Sequence, residues 1–438
     1  MGRKTPDTAY RAGGRRVFLD FVGCRLNEAE IEHLARQFAA RGDTIVRDVA
    51  EADMVVINTC AVTQEAARKS RHLIRQAGRT NPNASIIATG CYAELEPRRV
   101  AALPNVMRVV DNAHKDRLVA LVAGDGTPDY EREPLQRDPL PPGTLGHTRA
   151  FVKVQDGCDN RCTFCVTTLV RGPGRSRPLE EVVEEVALLT AMGYHEVVLT
   201  GVHLGSYGQD RGSSLRELVQ ALLQRTTIPR LRLSSLEPWD LSPQFFDLWQ
   251  DTRLCPHLHL PLQSGCDATL RRMGRRTTQA SFAALVEAAR ARIPDLAITT
   301  DIIVGFPGET DAEFAESLRF VEEIQFARLH VFPYSPRPGT AAARMPHQVP
   351  EEVKRERKAQ MLALSERLER SFQQRCIGRV YDVLWESARA ATPQGFLWAG
   401  YTGNYLRVVT TSPQMLGNTI TAARLTAIAQ GEVLAEVV

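Results

Sequence analysis

Three cysteines with the spacing C-x3-C-x2-C are the residues of this chain whose types most clearly indicate chemistry. They are Cys158, Cys162 and Cys165, within the segment DGCDNRCTFC at 156–165. Three thiolates can hold three irons of a 4Fe–4S cluster, which leaves the fourth iron without a protein ligand. A metal centre that does chemistry keeps such a position open, whereas a ferredoxin closes all four with cysteine. The spacing therefore predicts a cluster at which a small molecule binds and receives an electron.

A zinc site is the main chemical alternative for the same three thiols. Zinc in proteins takes four tetrahedral ligands, mostly cysteine and histidine. The nearest histidines in the sequence are His147 before the triad and His195 after it. Because a zinc site would need a remote fourth ligand, we favour the iron–sulfur interpretation.

A second set of cysteines lies in the first quarter of the chain, at Cys24, Cys60 and Cys91. Each follows a strand-like run and precedes a helix-like run. Loops after neighbouring parallel strands share one sheet edge, and helix N-termini favour thiolates. We therefore predict that the three thiols converge and hold a second cluster, with buried core thiols as the alternative. The other cysteines share no such pattern and are predicted to be structural: Cys255, Cys266 and Cys376.

The elements that must position these cysteines indicate an α/β protein with an added β domain. Residues 15–124 alternate strand-like and helix-like runs, typical of a parallel sheet covered by helices. Residues 125–149 are rich in proline and are interpreted as a linker. Residues 150–375 repeat a strand and a helix six times, which predicts a partial (β/α)6 barrel with Cys158 just after its first strand. Residues 376–438 hold five short strands, which predict a small β-barrel of a kind often used on RNA.

Composition favours an intracellular protein of two to four domains. The chain has 438 residues, 43% of them hydrophobic, and a net charge of only +3, which alone does not indicate nucleic-acid binding. No uninterrupted apolar stretch approaches the length of a membrane span, and the first residues lack an apolar signal core. We therefore expect a cytoplasmic protein without membrane association. In that reducing compartment, nine cysteines are expected to be metal ligands or buried thiols.

Five segments of the chain resemble those of methylthiotransferases of the radical S-adenosylmethionine (SAM) class. The segments are HTRAFVKVQDGC at 147–158, LTGVHLGSYG at 199–208, RLSSLEP at 232–238, PHLHLPLQSG at 256–265 and TDIIVGFPGET at 300–310. The resemblance extends over residues 15–438 and includes the layout of that class. That layout consists of an N-terminal domain with three cysteines, a radical SAM barrel and a C-terminal TRAM domain. Within that class, the chain most resembles the type that modifies threonylcarbamoyladenosine in tRNA.

This resemblance implies a radical reaction that uses two 4Fe–4S clusters and SAM. Cys158, Cys162 and Cys165 would hold the cluster that cleaves SAM to a 5′-deoxyadenosyl radical, and Cys24, Cys60 and Cys91 (the other set) would hold the cluster that presents sulfur. The radical would take the C2 hydrogen of N6-threonylcarbamoyladenosine 37 in the tRNA anticodon loop, and a second SAM would supply the methyl group. Because that hydrogen is not acidic, a radical route is more plausible than a side-chain base. The implied partners are tRNA and an electron donor such as a flavodoxin or ferredoxin.

Further site residues are expected at barrel strand ends and on the RNA-facing surface. Contacts with SAM or the base are expected from Gln263, Thr200, Glu237, Asp301, Gly305 and Glu309, with strand capping or a tight turn as the alternative. Phosphate contacts are expected from Arg271, Arg272, Arg275 and Arg276, with a solvated face as the alternative. Contacts with RNA in the C-terminal barrel are expected from Tyr401, Tyr405 and Arg407, although Tyr405 also fits a core position.

Two alternative functions remain open on the sequence. The first keeps the reaction and changes the substrate to isopentenyl-adenosine tRNA or a ribosomal protein. The second is an iron–sulfur RNA-binding protein without turnover, in which the C-terminal barrel binds RNA. Formation of 5′-deoxyadenosine from SAM separates an enzyme from a binding protein.

Overall fold

The computed structural model describes residues 14–123, 141–143 and 148–438. The chain divides into two compact units, Met1–Leu140 and Pro141–Val438. Most of the predicted linker 125–149, including His147, lies outside the described residues. Within the described ranges, no helix combines the length and the apolar character needed to cross a membrane.

The first unit is built on a five-stranded, fully parallel sheet. Its strands are β1 (Arg16–Phe21), β2 (Thr44–Ile45), β3 (Met54–Thr59), β4 (Ser85–Gly90) and β5 (Val106–Val109), in the order β2-β1-β3-β4-β5. The central strand β3 is buried along its whole length, as expected for a parallel strand with both faces covered. Its β-branched run of Val55, Val56 and Ile57 favours this position.

Helices cover the sheet of the first unit. They are α1 (Arg25–Ala40), α2 (Gln64–Thr80), α3 (Cys91–Leu95), α4 (Pro97–Ala101) and α5 (Leu118–Ala123). The side chain of Thr63 accepts a hydrogen bond of 3.0 Å from the Ala66 N–H and so fixes the start of α2. The amphipathic α2 buries Ile74 and Ala77 against the sheet and leaves its basic side exposed.

The second unit contains the predicted partial barrel of six parallel strands. These strands are β6 (Arg149–Lys153), β9 (Glu196–Thr200), β10 (Arg230–Leu233), β11 (His257–His259), β12 (Ala297–Val304) and β13 (Arg328–Pro333). These strands follow one another in chain order and form two three-stranded sheets. Parallel bridges connect the two sheets, from Leu231 to Leu254 and from Ser235 to His259. Two short strands, β7 (Gln155–Asp156) and β8 (Arg175–Ser176), form an antiparallel pair above the first strand.

The helices of this unit cover the outer face of the arc. They are α6 (Thr167–Arg171), α7 (Leu179–Ala191), α8 (Leu215–Arg225), α9 (Asp267–Met273), α10 (Gln279–Arg292), α11 (Asp311–Ile324) and α12 (Glu351–Cys376). Short 3-10 helices, counted over both units, span Val49–Glu51, Lys115–Arg117, Leu204–Ser206, Gln209–Arg211, Pro238–Asp240, Pro243–Gln250 and Ala342–Arg344. One of the helical positions of the six predicted repeats, Pro243–Gln250, is thus a 3-10 helix. Outward-facing side chains such as Leu199, Ile298 and Ile302 form the main core with these helices.

A closed five-stranded barrel ends the chain, as the sequence predicts. Its strands are β14 (Val380–Thr392), β15 (Gly395–Thr402), β16 (Arg407–Ser412), β17 (Ile420–Ala429) and β18 (Glu432–Val437), in the order β14-β15-β16-β18-β17. Trp385 and Trp398 are buried in its core. The core extends to Phe372 and Cys376 at the end of α12, so the C-terminal barrel packs directly on the helix that leads into it.

Buried charges join the C-terminal barrel to the amino ends of the strands of the partial barrel. Glu196 is fully buried and lies 2.7 Å from Arg232 Nε and 3.6 Å from Arg230 Nη1. Arg149 pairs with Glu386 of the C-terminal barrel at 2.9 Å. Arg232 also donates to the Gly403 carbonyl oxygen at 2.9 Å. This satisfied network holds the two barrels in one arrangement.

Candidate active site

The cysteine loop of the second unit is closed at its base by the pairing of β7 with β8. Gly157 has a φ of +72°, and a Cβ at this position would lie 1.9 Å from a backbone oxygen across the loop, so only glycine fits. The Cys158 N–H donates to the Gly172 carbonyl at 3.0 Å, and the Cys165 N–H donates to that of Cys162 at 3.1 Å. These bonds fix the loop just beyond the carboxyl end of β6, where the sequence places the triad.

The three thiols of the cysteine loop are a donor set that fits an iron–sulfur cluster. Cys158, Cys162 and Cys165 are half-buried, and none of them is in a disulfide. Three thiolates can hold three irons of a 4Fe–4S cluster, whereas a structural zinc ion takes four protein ligands.

Arg275 contacts a thiol of this loop through its guanidinium group. Its Nη1 donates to Cys162 Sγ at 3.7 Å, and both of its terminal nitrogens contact Glu237, at 3.1 and 2.6 Å. The guanidinium also lies 4.4 Å from the centre of the Trp239 ring. Burial raises the pKa of the Cys162 thiol to about 11, although Arg275 acts in the opposite direction. Arg275 therefore favours the thiolate that a metal cluster requires.

His203, which follows β9, forms a second group of polar contacts beside the cysteine loop. The His203 N–H donates to Gln155 Oε1 at 2.8 Å, and His203 Nε2 lies 2.5 Å from Asp240 Oδ2. Burial by itself would lower the pKa of His203, but Asp240 and Cys158 raise it to about 10. The sequence analysis did not identify His203, Asp240 or Gln155. Their signal was available, since His203 follows the carboxyl end of a barrel strand within a segment quoted for the resemblance.

The residues expected to contact SAM lie around the carboxyl ends of the barrel strands. Thr200 ends β9 and is buried, and Gln263 follows β11 with a φ of +75°. Glu237 pairs with Arg275, as described above. Among the described residues, the buried atoms Ser234 Oγ and Trp239 Nε1 have no hydrogen-bond partner. Because buried polar atoms normally have partners, these two fit a polar ligand such as SAM.

The glycine turn after β12 is held by Glu309. The Gly305 N–H donates to Glu309 Oε1 at 3.1 Å, and Arg357 Nη1 of α12 donates to the same oxygen at 2.8 Å. A Cβ on Gly305, whose φ is +70°, would lie 2.4 Å from Lys354 Cγ. Burial raises the pKa of Glu309, while the hydrogen bonds from Gly305 and Arg357 act against it. Glu309 thus has a structural role here, and its contact with a cofactor stays a prediction.

The second cysteine set lies along one edge of the sheet in the first unit. Cys24 caps α1 after β1, Cys60 follows β3, and Cys91 begins α3 after β4. Because β1, β3 and β4 are adjacent parallel strands, all three cysteines follow the same sheet edge. Gly23 has a φ of +118°, and a Cβ there would lie 2.7 Å from Cys60 Sγ. The backbone beside Cys24 therefore passes directly against Cys60.

Side chains from neighbouring helices fix these cysteine loops. Asn27 Nδ2 donates to the carbonyls of Val22 at 2.8 Å and Thr59 at 3.3 Å, which ties the first two loops together. Ser70 Oγ accepts from the Cys60 N–H at 3.0 Å and donates to the Cys60 carbonyl at 3.3 Å. This edge is therefore positioned by satisfied, mostly buried bonds, as a metal site requires.

A basic cleft lies beside the same edge and was missed by the sequence analysis. It has a volume of about 560 Å³ and lies between the end of β1 and helix α2, with the lining residues Asp20, Phe21, Val22, Arg68, Lys69, His72 and Leu73. Arg68, Lys69, His72, Arg75 and Arg79 of α2 are exposed. Burial raises the pKa of Asp20, the acidic residue of the lining. Arginine and lysine spaced along one helix face are the pattern that could have shown this surface.

The arginines expected to contact tRNA phosphates differ in their exposure to solvent. Arg271 and Arg276 are exposed, but Arg272 pairs with Glu313 at 2.6 Å. Arg275 is buried and bonded to Glu237 and Cys162, so for this residue the expectation of a surface phosphate contact is corrected to a place beside the cysteine loop. Packing of α9 against the loop turns its side chain inward. Phosphate contacts by Arg271 and Arg276 stay predictions.

The aromatic residues expected to contact RNA lie at the joint between the two barrels. The Tyr405 ring stacks on Tyr401 with centroids 5.1 Å apart and lies 4.8 Å from the His257 ring. Arg232 lies 4.6 Å from the Tyr405 centroid, so this ring packs in the interface, as its alternative core position implied. Arg407 is exposed and lies 3.3 Å from Glu432. RNA contacts by Tyr401, Tyr405 and Arg407 stay predictions.

Comparisons with known proteins agree with this architecture. The model of the Radical SAM superfamily matches residues 152–321, and the model of Uncharacterized protein family UPF0004 matches residues 16–111. The threonylcarbamoyladenosine tRNA methylthiotransferase MtaB of Thermotoga maritima is 40% identical over 84% of this chain and 86% of its own length. The MtaB of Bacillus subtilis is 38% identical over 89% of this chain and 88% of its own length. The chain belongs to the MtaB family of radical SAM methylthiotransferases.

Enzymes of this family use 4Fe–4S clusters and SAM, which agrees with the donor sets described above. A tRNA-2-methylthio-N(6)-dimethylallyladenosine synthase of Acetivibrio thermocellus is less similar, with 34% identity over 86% of this chain and 82% of its own length. Among solved structures, the radical SAM methyltransferase TsrM of Kitasatospora setae has a TM-score of 0.54. It is 16% identical and covers 75% of this chain and 77% of its own. At that identity, the likeness to TsrM supports only the fold of this MtaB-family chain and not its function.

Proposed function

We propose that this MtaB-family enzyme inserts sulfur and a methyl group at C2 of N6-threonylcarbamoyladenosine 37 in tRNA. The product is 2-methylthio-N6-threonylcarbamoyladenosine. The observation that carries the proposal is the pair of three-cysteine sites, each at the carboxyl ends of parallel strands, in a chain 40% identical to an MtaB protein.

Each of the two cysteine sets holds a cluster with a different role in the reaction. Cys158, Cys162 and Cys165 hold the cluster that binds SAM, and the set after β1, β3 and β4 holds the auxiliary cluster. When bound, these clusters and SAM supply the radical, the sulfur and the methyl group. Because the target hydrogen is bonded to carbon, no side-chain base is required.

The chain's own residues prepare the SAM-binding site. Arg275 places a positive charge beside the Cys162 sulfur and is itself held by Glu237 and Trp239. Hydrogen bonds to a cluster sulfur change the reduction potential of an iron–sulfur centre. Ser234 and Trp239 offer polar atoms to SAM. A small apolar cluster around Met273, Phe306 and Tyr334, with Phe164 of the cysteine loop packed against it, excludes water from one side.

The proposed partners are tRNA and a low-potential electron donor such as a flavodoxin or ferredoxin, in the cytoplasm. An electron donor is required by chemistry, because reductive cleavage of SAM consumes one electron per turnover. The exposed basic face of α2 supports an RNA partner by charge.

Nucleoside analysis tests the proposal directly. In a strain that lacks this protein, mass spectrometry of tRNA nucleosides should detect N6-threonylcarbamoyladenosine without its methylthio form. The wild-type gene should restore the methylthio form, and a gene carrying Cys158→Ala or Cys60→Ala should not. Persistence of the methylthio nucleoside in the deletion strain contradicts the proposal. Loss of methylthio-dimethylallyladenosine instead identifies the alternative tRNA substrate.

A further inference from the structure

Two histidines and one aspartate meet on the inner face of β11, β12 and β13. They are His259, Asp301 and His330, and one ligand atom from each lies within 4.8 Å of the others. His259 Nε2 lies 3.4 Å from Asp301 Oδ2, and the two imidazole centroids are 5.7 Å apart. In the register of the sheet, Asp301 lies directly beside His330.

These three side chains face the inside of the barrel. Side chains alternate along a strand, and the neighbouring Leu258, Ile302 and Leu329 pack into the outer core with the helices. His259 and Asp301 are half-buried, while His330 is exposed on β13, the last strand of the arc. The group therefore lines the lumen next to its open side, where a bulky substituent can enter.

A hydrogen bond with Thr299 fixes the orientation of the His259 ring. Thr299 Oγ1 lies 2.9 Å from His259 Nδ1 and 3.2 Å from His257 Nε2, so the opposite edge of the His259 ring faces Asp301. Burial would raise the pKa of Asp301, but His259, His330 and Arg275 outweigh it and lower that pKa. The carboxylate is thus ionised beside two imidazoles, which makes the wall of the lumen strongly polar.

The group lies close to the cysteine loop. The Gln263 N–H donates to the Asp301 carbonyl at 2.9 Å, and the Asp301 carboxylate feels the charge of Arg275. Arg275 in turn donates to Cys162 Sγ. A base whose C2 is presented to the radical would therefore hold its N6 substituent within the same lumen.

We propose that His259, Asp301 and His330 form the binding subsite for the threonylcarbamoyl substituent and select it over an apolar one. This inference rests on the proposed function. The substituent carries a carboxylate, a hydroxyl and ureido N–H groups. The imidazoles donate to its carboxylate, and Asp301 accepts from its hydroxyl or N–H groups. A dimethylallyl substituent has no polar atom and would remove water from these groups without giving them a hydrogen bond in return, which such sites reject strongly.

Two histidines and one carboxylate are also a set that divalent transition metals bind. Metal analysis therefore accompanies the test. An additional divalent ion per chain that is lost in His259→Gln, at unchanged cluster iron, would overturn the proposal in favour of a metal site.

The experiment uses the reconstituted full chain with three anticodon stem-loop RNAs. They carry threonylcarbamoyladenosine, dimethylallyladenosine or plain adenosine at the target position. For His330→Phe and His259→Gln, we expect kcat/KM on the threonylcarbamoyl RNA to fall about 10- to 100-fold, the cost of a lost charged hydrogen bond. Discrimination against the other two RNAs should fall by the same factor, while 5′-deoxyadenosine formation without RNA stays as in the wild type. His114→Phe, which changes an exposed histidine beside Asp111 in the first unit, is the matched control.

The outcomes separate this inference from the proposed function. If the wild type does not act on the threonylcarbamoyl RNA, the proposed function fails. If the wild type acts on it and the variants lose activity equally on all three RNAs, the subsite fails alone. Loss of 5′-deoxyadenosine formation without RNA in His330→Phe or His259→Gln also overturns the subsite, because it assigns these residues to SAM.

Discussion

Arg275 is the residue in which the structure departs most from the sequence-based expectation. The sequence predicts a surface run of arginines that includes Arg275, yet this residue is buried against Cys162, Glu237 and Trp239. Sequence spacing shows charge density but not the inward turn that follows from packing of α9 against the cysteine loop. A charge beside a cluster thiolate is a means of tuning its reduction potential.

Replacement of Arg275 tests this role. Arg275→Gln should lower the reduction potential of the SAM-binding cluster, because a positive charge and a hydrogen bond to sulfur are lost. Formation of 5′-deoxyadenosine should fall about tenfold or more, the cost of a charged hydrogen bond. Redox titration followed by electron paramagnetic resonance measures the potential, and the exposed Arg271→Gln serves as the control. An unchanged potential in Arg275→Gln would show that the contact has no electronic role.

We expect the buried carboxylate of Glu196 to make a pH-dependent contribution to the free energy of unfolding. Burial would raise its pKa, but Arg232, Arg149 and Arg230 outweigh burial and lower it from 4.5 to about 2. Since the folded pKa is depressed, the contribution is present above pH about 4.5 and is lost as the pH falls toward 2. Its upper size is about 3 kcal/mol.

Thermal unfolding of Glu196→Gln measures this contribution. The variant should unfold at a lower temperature than the wild type at pH 7, since three buried arginines lose their carboxylate partner. The difference between the two proteins should shrink by pH 3. A difference that stays constant over this range would contradict the assigned pKa.

At the scale of elements, regular strands were predictable and very short ones were not. The strands Glu196–Thr200 and Ala297–Val304 belong to the six predicted repeats of strand and helix, because their apolar and β-branched residues favour a buried strand. The two-residue strands β2, β7 and β8 carry too little periodicity to be seen. They nevertheless matter, since β7 and β8 close the cysteine loop. The strand-end positions of the six cysteines predicted as ligands followed from the sequence. The position of His203 after a barrel strand was also readable there, whereas its contacts with Gln155 and Asp240 needed the three-dimensional structure.

Helix α2 gives a prediction about RNA affinity. The substitutions Arg68→Gln, Lys69→Gln and Arg75→Gln together should weaken tRNA binding about tenfold or more and reduce the salt dependence of binding by roughly two to three phosphate contacts. Equilibrium binding at several salt concentrations measures both. The matched control is Arg98→Gln, Arg99→Gln and Arg117→Gln together, which also removes three exposed charges from the same unit. Equal losses in both variants would indicate a general charge effect instead of a contact surface.

At the scale of the whole molecule, the chain assigns one three-cysteine site to each compact unit. The first lies in Met1–Leu140 and the second in Pro141–Val438. The second unit also includes the C-terminal barrel, which buried charges join to the radical SAM barrel. Removal of the C-terminal barrel is therefore expected to expose Glu196 and its arginines and to destabilise the catalytic barrel.

The content of iron and sulfide per chain tests the central claim most directly. After anaerobic reconstitution, the wild type should hold about eight irons and eight sulfides, as two 4Fe–4S clusters require. Replacement of the three cysteines of either site by alanine should leave about four of each. A wild type with about four irons, or with zinc in place of iron, would contradict the account.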